Sequence, residues 1–193
     1  MLFTTFITIA TALTITYTHA AAVGECVTVR RGYLAANVSD TFKSFTLNKA
    51  GQLAYTGDGK KPLKVEFRHC PVLDQPGGDP SIDTPGQVYI PAHKKCLAIT
   101  NQPDAEGPYH TALEECATTW PFVFVMRDVP DIGESVYWIG STDVEGTMPQ
   151  GGCGFLGYDA GVKGKPVRHP GKEVFVTCGG YPGTPFRIAK KAC

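Results

Sequence analysis

Excess charge of either sign is missing from this chain: 18 basic residues balance 18 acidic ones, for a formal net charge of zero over 193 residues. Without a basic field, neither nucleic acid nor an anionic membrane is indicated as a partner. Closely spaced cysteines are missing too. The seven are Cys26, Cys70, Cys96, Cys116, Cys153, Cys178 and Cys193, and no two stand at the C-x2-C spacing of a zinc site. No metal and no cofactor are expected. There is no G-x-S-x-G elbow, no H-E-x-x-H and no glycine-rich phosphate loop ahead of a helix. Carboxylates are plentiful, but no spacing singles out a glycosidase pair, and the chain is read as a non-enzyme. His69 adjoins Cys70, yet a cysteine in an oxidising compartment is better read as buried or bonded than as a nucleophile. No stretch sustains a helical apolar period, which disfavours a βαβ fold.

What is present begins with MLFTTFITIATALTITYTHA, a charge-free, mostly apolar opening followed by small residues at Ala20, Ala21 and Ala22. It reads as a signal peptide over residues 1–20. The run is interrupted by threonines and falls short of the roughly 20 strongly apolar residues of a membrane span. Residues 21–193 are then a single exported, extracellular domain, long enough to bury a core. Export makes disulfides the default for the cysteines, and an odd number leaves one thiol over. Asn37-Val38-Ser39 is the chain's N-glycosylation sequon and points to a surface loop. Arg30-Arg31 is either a dibasic processing site or an exposed strand edge.

The apolar residues come in short alternating runs. In PLKVEFRHC, Leu63, Val65 and Phe67 face one way and Lys64, Glu66 and Arg68 the other, which is the pattern of a half-buried strand. KEVFVTC repeats it with Val174 and Val176 inward. Further strands are expected at Phe45–Leu47, Val88–Ile90, Phe122–Met126 and Val136–Ile139, with Trp138 in the core and Trp120 unassigned. Turn residues separate them all, so the fold class is all-β.

The chain also resembles itself. KVEFRHC, HTALEEC and EVFVTC end three strands at Cys70, Cys116 and Cys178. After Cys116 and Cys178 come a short turn, Pro-Phe and a strand. Upstream of those two stand KKCLAIT and GGCGFLGY, whereas the first copy has Leu53 near the matching place. Three diverged copies follow, roughly at 42–87, 88–135 and 136–193. Cys96–Cys116 and Cys153–Cys178 are expected as staples within the second and third copies. Each closes about twenty residues and stabilises by roughly 3 kcal/mol.

Three β-repeats in which CLxI leads to LxxC and an aromatic strand resemble the ricin B-type lectins, over about Phe42 to Ile188. The resemblance implies a β-trefoil braced by disulfides, and a glycan or cell-surface glycoprotein as partner. In place of the family's Gln-x-Trp stand Pro121-Phe122-Val123-Phe124 and Pro185-Phe186-Arg187-Ile188, and Ala98 stands where its sugar-site Asp falls. Candidate carbohydrate residues are therefore sought in the loops: Tyr158, Asp159 and His169 in the third copy, Asn101, Gln102, Asp104 and Tyr109 in the second, and Asp58 in the first. Three copies that close on one axis bring the chain ends together, which favours Cys26–Cys193 with Cys70 left single. The rival pairing is Cys26–Cys70. A second functional reading is a trefoil protease inhibitor presenting the proline-rich connection between Cys70 and Val88. A third is an effector-type protein that binds a protein target.

Overall fold

The computed structural model describes residues 25–73, 79, 81–102, 107–129, 133–140, 154–178 and 183–192. The expected signal segment, Asp104, Cys153 and Cys193 lie outside the described residues. The strands are β1 (Val27–Val38), β2 (Thr41–Ser44), β3 (Thr46–Leu47), β4 (Leu53–Ala54), β5 (Lys64–His69), β6 (Asp83–Ile90), β7 (Lys95–Ile99), β8 (Thr111–Glu114), β9 (Phe124–Val129), β10 (Gly133–Trp138), β11 (Gly157–Tyr158), β12 (Val176–Thr177) and β13 (Arg187–Ala189). Among the described residues helix is confined to single 3-10 turns, such as Trp120–Phe122. No helix among them is long and apolar enough to cross a membrane.

The chain is thus predominantly β. The large sheet runs β10-β9-β6-β5-β1-β13, with β2 joined to β1 and the β7–β8 pair joined to β6. It curls until its two ends meet. Val136 of β10 and Phe186, the residue before β13, exchange backbone hydrogen bonds of 2.8 and 2.9 Å. The first and last strands pair directly, with Tyr33 opposite Ala189 and Ala35 opposite Arg187. Gly32 is required at that seam, because a Cβ there would strike the carbonyl oxygen of Ala189.

Alternation in the sequence explains the core. Leu63, Val65 and Phe67 are buried, as are Val174 and Val176. β1 is the strand whose length the sequence concealed. The register against β5 shifts between Thr28 and Arg30, a bulge-type irregularity that breaks the period-2 pattern. Trp138 is fully buried, and its indole N–H donates to the carbonyl of Trp120 at 3.1 Å. The short pairs β3–β4 and β11–β12 form separate two-stranded sheets, and β7–β8 projects from β6.

These three hairpins converge on one another. Leu53 N–H donates to the Thr111 hydroxyl at 2.8 Å. Val174 N–H donates to the Leu53 carbonyl at 2.9 Å, and Tyr109 and Val176 exchange backbone bonds of 2.9 Å in both directions.

Two disulfides are defined between described residues: Cys96–Cys116 and Cys26–Cys70. The first staples β7 to the end of β8, where Cys96 lies opposite Glu114. The second corrects the expected Cys26–Cys193 bond and the single Cys70. β1 is indeed flanked by β13, but its other neighbour is β5. Val27 lies opposite His69, and the next residue outward on each strand is Cys26 and Cys70. The antiparallel register therefore delivers these two sulfurs to each other. Cys70 is fully buried, in a small apolar cluster with Leu73 and Val123. Cys178 is also disulfide-bonded.

Candidate functional site

Two of the three convergent hairpins carry a cluster of imidazoles and carboxylates around Phe175. The alternation of KEVFVTC turns Val174 and Val176 inward, which leaves Phe175 facing outward and half-buried. The His169 ring is stacked on it, with centroids 3.7 Å apart and planes at 15°. The His110 ring meets it edge-on at 4.8 Å and 71°. Each imidazole is held by a carboxylate. His169 Nε2 lies 2.9 Å from Asp159 Oδ2, and His110 Nδ1 lies 2.9 Å from Glu173 Oε1.

The backbone explains why these residues meet. Asp159 follows β11, and its N–H donates to the Phe175 carbonyl at 2.8 Å. Its own carbonyl accepts from Val167 N–H at 2.9 Å, so the loop returns close to the strand end. A tight turn over Pro170–Lys172 then reverses the chain, with Gly171 and Lys172 both at positive φ. His169 N–H donates to the Glu173 carbonyl across that turn at 2.9 Å. On the second hairpin, His110 precedes β8. Its N–H donates to Asn101 Oδ1 at 2.7 Å, while Asn101 Nδ2 donates to the Pro108 carbonyl at 3.0 Å.

Exposure divides the cluster. The side chains of His110, Asp159 and His169 are 41, 30 and 26 % exposed, whereas Glu173 is only 8 % exposed. Glu173 therefore acts mainly as an anchor for His110, because a nearly buried carboxylate needs a donor. Asp159 stays partly exposed while it orients His169. The arrangement offers partly exposed rings beside a carboxylate acceptor, which suits a ligand with one apolar face and several hydroxyls. Among the described residues no group of three or more His, Cys, Asp and Glu side chains is placed to hold a metal ion.

The sequence candidates separate here. Asp159 and His169 are in direct contact. Asn101 shapes the loop that carries His110. Tyr158 and Tyr109, expected as ring platforms, are instead buried at 1 % exposure each. Tyr158 packs between Phe45 and Phe186 at 5.3 and 5.5 Å, and its hydroxyl donates to the Gly164 carbonyl at 2.8 Å. Burial pushes its phenol up to about 12. Tyr109 packs on Trp138 at 5.0 Å. Asp58 is remote in role: its carboxylate accepts from the Thr56 hydroxyl at 2.6 Å and from Lys60 N–H at 3.0 Å in its own turn. His110, Glu173 and Phe175 were not anticipated. The available signal was an outward-facing phenylalanine in an otherwise regular alternation.

Comparison with protein-family models, with curated proteins and with solved structures finds no match to this chain.

Proposed function

We propose that this chain is a secreted, lectin-like glycan-binding protein built on a β-trefoil of the ricin B type, with its carbohydrate site at Asp159, His169, Phe175 and His110. The observation that carries the reading is the half-exposed Phe175–His169 stack with Asp159 at its edge. A pyranose has an apolar ring face that packs on such a surface and hydroxyls that donate to a carboxylate. The trefoil reading is supported by repetition. Each of the three convergent hairpins lies in sequence between two strands of the curled sheet, as a fold of three copies requires. Passage through an oxidising compartment is supported by the disulfides.

The test is a glycan panel probed with the chain and with Asp159→Asn. That substitution keeps size and removes the charged acceptor. Binding of a glycan class that weakens tenfold or more in the variant, about 1.4 kcal/mol, supports the site. No bound glycan, or binding indifferent to Asp159, removes the reading.

A further inference from the structure

The strand β1 turns into β2 through Ser39 and Asp40, both at positive φ (49° and 60°), as a two-residue hairpin turn demands. The sequon Asn37-Val38-Ser39 sits on this turn. Asn37 is exposed at the end of β1, and Ser39 occupies the turn itself. Directly across the antiparallel pair from Asn37 stands Phe42. Residues opposite each other in such a pair point to the same face, with Cβ atoms about 4.5–5.5 Å apart. Phe42 is 42 % exposed, one of five exposed large apolar side chains among the described residues. The two residues also share a cleft of about 450 Å³, lined in addition by Arg30, Arg187, Lys190 and Lys191.

We propose that Asn37 carries an N-linked glycan whose first N-acetylglucosamine packs its apolar face on Phe42 and lies in this cleft. The hairpin gives the modification what it needs: an exposed amide at Asn37, a hydroxyl two residues on, and an exposed turn at Ser39 and Asp40. In the transfer, Asn37 Nδ2 attacks C1 of a lipid-linked oligosaccharide. The N–C1 bond forms, the bond from C1 to the diphosphate oxygen breaks, the lipid diphosphate leaves, and the amide gives up one proton. Phe42 then has an occupant, which accounts for a phenylalanine at an exposed hairpin position. The proposal shares with the proposed function the passage through a secretory pathway and is independent of the site at Asp159.

The test expresses the full chain in a glycosylating eukaryotic host behind an added secretory leader, so that failure of the native leader does not bear on the result. Wild type and Phe42→Ala are each compared with and without the glycan, which is trimmed enzymatically to one sugar or removed entirely. Mass spectrometry is expected to find Asn37 occupied. Complete removal is expected to lower the Tm of the wild type by about 2–4 °C, and trimming to a single sugar is expected to preserve it. Phe42→Ala is expected to lose this sensitivity to removal. An unoccupied Asn37 overturns the proposal. So does an occupied Asn37 whose removal shifts wild type and Phe42→Ala equally, or shifts neither.

Discussion

His169 lies flat against Phe175, with ring centroids 3.7 Å apart and planes within 15°, while its Nε2 reaches Asp159 at 2.9 Å. The phenyl ring thus fixes the imidazole plane and the carboxylate fixes its rotation. His110 uses the same ring from another direction, through an edge contact at 4.8 Å. One phenylalanine on the third hairpin therefore orders titratable groups from two hairpins.

Replacing Phe175 by alanine is expected to release both imidazoles and to lower affinity for any bound glycan by tenfold or more. Because the ring is only half-buried, the cost in stability should stay near 1–2 kcal/mol. Titration calorimetry beside thermal melting separates the two effects. Phe175→Tyr keeps the stacking surface and should bind nearly as the wild type does. A Phe175→Ala protein that binds unchanged would show that the stack is only packing.

Reduction should destabilise the protein strongly. Cys26–Cys70 and Cys96–Cys116 span 44 and 20 residues. Loop-closure entropy assigns them about 4 and 3 kcal/mol. Peptide mapping of the oxidised protein should recover Cys26 joined to Cys70. A peptide joining Cys26 to Cys193 would contradict the register of β1 on β5.

Acid should weaken the β1–β5 pairing through Glu66. Burial pushes its carboxyl up, but hydrogen bonds from Arg31, Thr28 and Arg68 together outweigh it and hold the group below its ordinary 4.5. A depressed folded value contributes stability that is present above about pH 4.5 and is lost as pH falls through the folded value. Urea melts between pH 6 and pH 3 should show this loss, and Glu66→Gln should flatten the slope across that window. An unchanged slope in the variant would exclude Glu66 as its source.

Tyr158 should resist alkali. Its value is raised from 10.0 to about 12, first by burial. The neutral phenol therefore contributes stability that is complete below pH 10 and is lost as pH climbs from 10 toward 12. Burial raises Tyr55 and Tyr137 as well, so absorbance at the phenolate band should show a late-titrating group of tyrosines whose last member is missing in Tyr158→Phe. Titration of every tyrosine near pH 10 in the folded protein would place Tyr158 at the surface.

Much of the fold was legible because a half-buried strand writes its faces into consecutive residues. Val65 and Phe67, with Leu63 just ahead of the strand, announced the inward side of β5, and Val174 and Val176 that of the third hairpin. Cys96 and Cys116 were paired correctly because both lie within one local hairpin. Other features depend on contacts that alternation does not encode. β11 has only two residues, and Tyr109 forms an isolated bridge, so no period decided whether Tyr158 and Tyr109 faced in or out. Packing against Phe45 and Phe186 for Tyr158, and against Trp138 for Tyr109, placed both rings in the core. The partner of Cys26 depended on which side of β1 each neighbour took, and only the assembled sheet put β5 on one edge and β13 on the other. The same holds for the site. His110 and Glu173 are 63 residues apart and meet because three hairpins converge, which is a property of the packed molecule and not of any single stretch of chain.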